Sequence, residues 1–156
     1  MSAAPLSFQS RLEAIDADDA QRVVHIVDLV LDEVVQLGAS DVHFEPTATA
    51  LELRCRVDGV MRPAGVLPRE LGPNLVARLK VMAELLTYRT DVPQEGGIRN
   101  RATGPSPDMR VSTFPTVHGE KAVVRVFQTS SPTMELDQLG LPADILTTLK
   151  LNQVLL

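Results

Sequence analysis

Three polar residues alternate with apolar ones in the stretch GASDVHFEP, which covers residues 38–46. Alternate residues of a strand share a face, so Asp41, His43 and Glu45 are predicted to lie on one side of a sheet. His43 and Glu45 are residue types that ligate metals or exchange protons. A closed metal site takes about four ligands, and neither of the other two histidines of the chain falls at ligand spacing from this pair. We therefore predict a structural role for these residues and no bound metal.

A second candidate site is a pair of arginines on the last two predicted strands, DMRVSTF and KAVVRVF. If these strands form a hairpin centred between Val117 and His118, Arg110 lies opposite Arg125. Like charges that face each other across two strands are destabilising, so the pair indicates a shared anion. That anion is either a carboxylate of the protein or a phosphate of a ligand. The residues alone favour the carboxylate.

Other kinds of chemistry lack the motifs that they need. Cys55 lies on the apolar face of its predicted strand, as an inert core thiol would. The chain has no G-x-S-x-G sequence and no glycine followed directly by Lys-Ser or Lys-Thr, which the phosphate loop of a nucleotide hydrolase requires. We therefore assign no catalytic residue and expect no ATP hydrolysis by this stretch of chain.

Composition limits the class of protein. The chain has 156 residues, of which 44% are hydrophobic and 22% charged, and these values are typical of one soluble globular domain. The net charge of −5 argues against a general binder of nucleic acid or of anionic membranes, both of which select basic surfaces. A single cysteine excludes an internal disulfide.

Periodicity predicts the elements that position these residues. Apolar residues recur at helical spacing over residues 19–37, and the period then changes to two. The dipeptide Asp58-Gly59 predicts a hairpin turn inside LELRCRVDGVMR. Pro68 and Pro73 open a second helix, and the stretch TDVPQEGG is predicted to be a loop. Three more strands and a short helix follow, at about residues 97–102, 108–114, 121–127 and 142–150. This order predicts an α+β fold: an antiparallel β-sheet with helices packed on one side.

Five stretches in this order and spacing resemble one family: GASDVHFEP, LRCRVDGVMR, LVARLKVMAEL, VPQEGG and DMRVSTFPTVHGEKAVVRV. They are similar to the second N-terminal domain of the type II secretion ATPase and of its type IV pilus-assembly relatives. The resemblance covers about residues 20–128. Residues 1–18 precede the first clear periodicity and are predicted to be a flexible leader, and the resemblance implies a PAS-like N-terminal domain over residues 19–128. Residues 129–156 are then a linker and the start of an ATPase domain that this sequence does not contain, with LNQVLL resembling the first part of a strand.

The resemblance also implies a function. Members of the family work as cytoplasmic hexamers, peripheral at the inner membrane, where they contact the platform of the secretion or pilus apparatus. The nucleotide phosphates, with ATP and Mg²⁺, are bound by the ATPase domain of the same or a neighbouring subunit. Arginines of the N-terminal domain reach those phosphates, and they resemble Arg110 and Arg125 of this chain. This implication reverses the preference for a carboxylate partner. The fragment itself is expected to hold no cofactor.

The chain departs from the family at one loop. Where the family reads Pro-Gln-Asp-Gly-Arg, this chain has Glu95 and Gly97 at the third and fifth positions. The basic residues that precede this loop in the family are replaced by Thr90 and Asp91. This loop resembles one that contacts the ATPase domain in the family.

A second hypothesis is a stand-alone PAS-like module that binds a ligand or a protein and has no motor activity.

Overall fold

The fold is α+β, as the sequence predicts. A computed structural model describes residues 7–98, 107–127, 137 and 140–153. The described helices are α1 (Phe8–Glu13), α2 (Arg22–Gln36), α3 (Gly72–Met82) and α4 (Ala143–Gln153). The strands are β1 (Asp41–Pro46), β2 (Ala50–Val57), β3 (Val60–Pro68), β4 (Gln94–Ile98), β5 (Asp108–Thr116) and β6 (Gly119–Phe127). The six strands form one sheet in the order β3-β2-β1-β6-β5-β4, and every neighbouring pair is antiparallel.

One face of the sheet carries the core. Helix α2 buries an apolar stripe that follows the helical period, and β2 buries alternate residues in the same cluster. The stripe and the alternation together bring helices and strands into a single core. Its members from these two elements are Ile26, Val27, Val30, Leu31, Val34, Leu51, Leu53 and Cys55. The opposite face, which carries the polar residues of the strands, is called the open face below.

Two tight hairpins set the register of the strands. Asp58 and Gly59 both have positive φ, at 51° and 76°, as the predicted two-residue turn between β2 and β3 requires. Thr116 pairs with Gly119 across the second turn, which contains Val117 and His118. Strand β1 then lies between the two hairpins, with β2 on one side and β6 on the other.

A buried ion pair fixes α3 to the sheet. Lys80 on α3 is 0% exposed, and its Nζ lies 2.5 Å from Glu120 Oε1 on β6. The same ammonium donates a hydrogen bond of 2.7 Å to the carbonyl oxygen of Arg89 in the following loop. A buried charge needs such partners to offset its desolvation, so the three groups constrain one another.

The predicted flexible leader is wrong for its described part. Helix α1 lies within it and packs on the domain: Leu12 is only 2% exposed, and Arg11 forms an ion pair of 2.6 Å with Glu33 of α2. The side-chain amide of Gln9 accepts a hydrogen bond from the backbone N–H of Val66 on β3 and donates one to its carbonyl oxygen. A six-residue helix has too few turns to show periodicity in the sequence, which is why the prediction missed it.

Strand β4 begins earlier than predicted. The stretch QEGG was assigned to a loop, but Gln94–Ile98 pairs with β5 along its whole length. Glycines carry no side chain to display alternation, so the strand had no visible pattern. The remainder of the predicted strand 97–102, beyond Ile98, falls outside the described residues.

Helix α4 runs from Ala143 to Gln153, three residues past its predicted end. The first part of LNQVLL, predicted to resemble a strand, is therefore helical, because no glycine or proline interrupts the segment. The predicted linker between β6 and this helix lies mostly outside the described residues. Pro68 precedes a 3-10 turn at Arg69–Leu71, and Pro73 lies in the first turn of α3, as predicted.

Candidate functional site

The two candidate arginines face each other across the β5–β6 hairpin. Arg110 pairs with Arg125, and on either side Ser112 pairs with Val123 and Asp108 with Phe127. Met109 and Val111 are buried, so Arg110 points away from the core, as the alternation predicted. The side chains of Arg110 and Arg125 are 60% and 65% exposed. The structure thus confirms the predicted register and places both guanidinium groups on the open face.

Each arginine has its own carboxylate partner. Arg110 Nη1 lies 3.0 Å from Glu95 Oε1 on the neighbouring strand β4. Arg125 Nη2 lies 3.7 Å from Asp41 Oδ1 on β1, its other neighbour. Among the residues that the structure describes, no single carboxylate contacts both arginines, which is the arrangement that one of the two alternatives left by the sequence requires. The hairpin brings the arginines together, and the strands outside it supply the acids.

Asp41 is the centre of a larger arrangement. It pairs in register with Arg56 on β2 and with Arg125 on β6, which in turn pairs with Arg110. These four residues form the arginine row, in the order Arg56, Asp41, Arg125, Arg110 across four adjacent strands. Asp41 Oδ2 lies 3.3 Å from Arg56 Nε and accepts a hydrogen bond of 2.6 Å from Ser40 Oγ. The row contains three positive charges and one negative charge, and Glu95 adds a second negative charge beside Arg110.

The acids of the site differ in burial. Asp41 is 6% exposed, whereas the Glu95 side chain is 55% exposed. An exposed ion pair contributes little to stability and exchanges readily with solvent ions. A buried carboxylate has lost most of its water and depends on its protein partners. Glu95 is therefore a replaceable partner, and Asp41 is a fixed one.

His43 and Glu45 follow Asp41 along β1 on the open face, as predicted. Burial lowers the pKa of His43 below its usual value of 6.5, and nearby Lys121 and Arg56 act in the same direction. Glu45 Oε1 accepts a hydrogen bond of 3.0 Å from Lys121 Nζ, and this bond lowers the pKa of Glu45 below 4.5. Glu45 thus forms an ion pair with Lys121 on β6, whereas His43 Nε2 is buried without a hydrogen-bond partner among the described residues.

The described residues contain no group of three or more His, Cys, Asp or Glu side chains arranged to hold a metal ion. Cys55 lies in the core, and burial raises its pKa to about 11, so it is protonated and unreactive at neutral pH. None of the described helices has both the length and the apolar content for a membrane span.

Two contacts of the site were missed by sequence reasoning. The sequence predicts for Asp41 only a structural role on the same face as His43 and Glu45, and it places Glu95 in a loop. The partners of Asp41 depend on which strands lie beside β1, and local periodicity does not predict the order of strands in a sheet. The partner of Glu95 depends on β4, whose glycines hid it. The alternation of Asp41, His43 and Glu45 was the available signal that this part of β1 needed polar neighbours.

Comparison with known proteins gives one consistent result. A family model described as "Type II/IV secretion system protein" matches residues 16–155. The chain is 37% identical over 131 residues to the type II secretion system ATPase E of Vibrio cholerae serotype O1, covering 84% of this chain and 26% of the relative. It is 39% identical over 124 residues to the type II secretion system protein E of Xanthomonas campestris pv. campestris, covering 80% of this chain and 22% of that relative.

Among solved structures, the pilus retraction motor PilT with bound ADP aligns with a TM-score of 0.47 and 24% identity, covering 77% of this chain and 33% of that one. The chain spans about a quarter of the length of the curated relatives that it matches. The family model covers most of the chain, and its description agrees with the names of both curated relatives. The chain therefore belongs to the type II/IV secretion system protein family.

Proposed function

We propose that this chain is the N-terminal regulatory and assembly domain of a hexameric ATPase that powers type II protein secretion or type IV pilus assembly. In this role Arg110 and Arg125 contact nucleotide phosphates bound by the ATPase domain. The observation that carries the proposal is the exposed, facing position of these two arginines on the open face, away from α1, α2 and α3.

Two arginines placed opposite each other repel unless an anion interacts with both. Directly opposed like charges destabilise a strand pair, and their Cβ atoms lie ~5 Å apart. A guanidinium matches phosphate oxygens with two parallel hydrogen bonds, and a phosphate carries enough charge to interact with both arginines at once. Glu95 is exposed, so it can give way to such an anion at little cost.

The remaining parts of the proposal follow from the family. The parent protein would use ATP and Mg²⁺ as an ATPase, and this domain would contact the ATPase domain of the same or a neighbouring subunit in a homo-oligomer. Its location would be cytoplasmic, peripheral at the inner membrane face and in contact with the secretion or pilus platform. Nucleic acid is not a proposed partner, in keeping with the net charge of −5. We also propose that the sheet is PAS-like.

A chimera tests the proposal. The stretch of the Vibrio cholerae ATPase that aligns with this chain is replaced by the chain, and the ATPase rate of the chimera is measured. Arginines that stabilise charge during phosphoryl transfer contribute ~10³-fold to turnover. We expect Arg110→Ala or Arg125→Ala to lower kcat by at least about tenfold in the chimera, while the melting temperature of the 156-residue chain changes little.

Arg54 provides the matched control. It lies on the open face of β2, two residues before Arg56 and outside the arginine row. Arg54→Ala is expected to leave kcat within about twofold, because Arg54 is the register partner of His43 and does not face the arginine pair. Unchanged rates in the Arg110 and Arg125 variants would reject the phosphate contact. Unchanged rates with a large fall in melting temperature would instead favour a purely structural pair and the stand-alone module.

A further inference from the structure

The acid at the centre of the arginine row is placed between two arginines by the sheet itself. Strand β1 is the only strand that separates the two hairpins, and Asp41 at its start pairs in register with Arg56 on one side and Arg125 on the other. Its carboxylate is buried, and Ser40 Oγ donates to it at 2.6 Å. This carboxylate therefore cannot move towards solvent without losing three partners.

Arg125 depends on Asp41 more than Arg56 does. Arg56 also donates a hydrogen bond of 3.1 Å from Nη1 to the carbonyl oxygen of Gly59, which holds it over the β2–β3 turn. For Arg125, Asp41 is the acidic partner within the described residues, at 3.7 Å. On its other side Arg125 meets the like charge of Arg110. Asp41 thus places a negative charge on the side of Arg125 that faces away from Arg110.

We propose that Asp41 is a positioning residue for the arginine pair: it holds Arg125 from the β1 side so that both guanidinium groups present one anion site. This inference rests on the proposed function, in which that anion is a phosphate. Glu95 has the opposite role, because it is exposed and occupies Arg110 until a phosphate replaces it. Asp41 and Glu95 carry the same charge, and each contacts one arginine of the pair. Asp41 positions the arginines, whereas Glu95 competes with the phosphate for Arg110.

The two roles predict opposite effects for the same change of charge. Asp41→Asn and Glu95→Gln each remove one negative charge beside the arginine pair. If only net charge mattered, both variants would bind an anion more tightly, because a charge a few ångströms away in a solvated site changes affinity by about threefold. The positioning role instead predicts weaker binding for Asp41→Asn, because Arg56, Arg125 and Arg110 would repel one another and their flexible side chains would move apart.

The test titrates inorganic tripolyphosphate into the 156-residue chain at low ionic strength and follows the backbone amide resonances of β5 and β6 by NMR. Glu95→Gln is expected to tighten binding by about threefold relative to the unsubstituted chain, and Asp41→Asn to weaken it by about threefold or more. Glu45→Gln is the matched control on β1, because it removes an acid paired with Lys121 rather than with the row. It is expected to change the affinity by less than about twofold.

A second variant covers the case in which Asp41→Asn does not fold, which its melting temperature will show. Arg56→Gln leaves the Asp41 carboxylate with Arg125 as its remaining arginine. The positioning role predicts that Arg56→Gln binds tripolyphosphate within about twofold of Arg54→Gln, which removes the same charge from the same strand outside the row. Clearly weaker binding by Arg56→Gln than by Arg54→Gln would overturn the proposal, as would tighter binding by a folded Asp41→Asn.

Arg110→Gln and Arg125→Gln separate the failure of this inference from the failure of the proposed function. If both lose affinity while Asp41→Asn gains it, the arginines contact the phosphate and only the role of Asp41 is wrong. If neither loses affinity, the proposed phosphate contact is itself rejected. Absence of binding in every variant, Glu95→Gln included, would overturn the inference, and the ATPase rate of the chimera would then decide the proposed function alone.

Discussion

His43 lies in the middle of the open face, and its surroundings favour the neutral imidazole. Its Nε2 atom is buried and has no hydrogen-bond partner among the described residues. Burial is the largest cause of its lowered pKa. The positive charges of Lys121 and Arg56 lower the pKa further, and the negative charges of Asp41 and Glu45 raise it. Because the folded pKa lies below the unfolded value of 6.5, protonation favours the unfolded chain. This contribution to stability is complete above about pH 6.5 and is lost as the pH falls through the folded pKa.

A histidine variant checks this sign. His43→Gln removes the titrating group, so its free energy of unfolding should change less than that of the unsubstituted chain between pH 7.5 and pH 5. The difference in free energy of unfolding between the two proteins should therefore become smaller as the pH falls. Urea unfolding at several pH values above the range in which Glu45 titrates measures this difference. His118→Gln, in the exposed β5–β6 turn, is the control and should follow the unsubstituted chain. If the difference in free energy of unfolding between the His43 variant and the unsubstituted chain did not change with pH, the lowered pKa of His43 would be contradicted.

At the scale of elements, β4 and the end of α3 approach each other closely at one glycine. A Cβ atom at Gly96 would overlap the carbonyl oxygen of Ala83 and lie 2.9 Å from Leu85 Cδ2. The neighbouring Gly97 has only the carbonyl oxygen of Met109, at 3.9 Å, near the same position. Gly96 thus lets the edge strand pack under the segment that follows α3, whereas Gly97 is not needed for space.

The two glycines therefore form a matched pair of sites. Gly96→Ala should lower the free energy of unfolding by about 2 kcal/mol or more, because backbone must move to relieve the overlap. Gly97→Ala should change it by less than about 1 kcal/mol. Urea unfolding followed by circular dichroism measures both variants under the same conditions. If the two substitutions lowered the free energy of unfolding equally, the close approach of Gly96 to Ala83 and Leu85 would be contradicted.

Helix α1 is expected to contribute to stability despite its length. Leu12→Ala removes a side chain that is buried against β3 and should cost about 2–3 kcal/mol. Leu86→Ala, at a side chain that is half exposed, should cost less than about 1 kcal/mol. The comparison can be made by thermal unfolding. If Leu12→Ala is as mild as the control, α1 is an appendage of the domain and not part of its core.

The sequence predicted the elements that carry a clear period and missed those that do not. Helix α2 and the strands β1, β2, β5 and β6 could be predicted because buried and exposed residues alternate over enough turns or residue pairs. The facing arginines could be predicted because a two-residue turn fixes the register of a hairpin. Helix α1 and strand β4 could not, because one is too short and the other is rich in glycine. The partners of Asp41 and Glu95 could not either, because they depend on long-range strand order.

At the scale of the whole molecule, the described part of the chain is asymmetric. Helices α1, α2 and α3 contribute to the core on one face of the sheet, and the arginine row lies on the other. The net charge is −5, yet the row contains three arginines and a single acid. A negatively charged chain thus carries a local row of three arginines on the face of the sheet opposite the helices.

The chain by itself is expected not to hydrolyse ATP. It has no phosphate-loop lysine, and the arginine pair that we propose to contact phosphate offers no group to position Mg²⁺ or the attacking water. The purified 156-residue chain should therefore release no phosphate from ATP above the rate of a buffer blank in a coupled assay. The control is the same preparation carrying Arg110→Ala and Arg125→Ala. Steady turnover that follows the protein through purification and is lost in the double variant would contradict this expectation.

The two hydrogen bonds between Gln9 and Val66 have a consequence for how copies of the chain behave at high concentration. A sheet has no intrinsic last strand, since the free N–H and C=O groups of an edge are a template for the next strand. At β3 the Gln9 amide takes both groups of Val66, and Pro63 and Pro68 offer no N–H donor on either side. The Gln9 side chain therefore blocks the pairing of a strand from another copy of the chain with the β3 edge. Gln9→Ala should expose the backbone N–H and C=O groups of Val66 and raise light scattering in concentrated solution. Gln36→Ala, at the end of α2, should not.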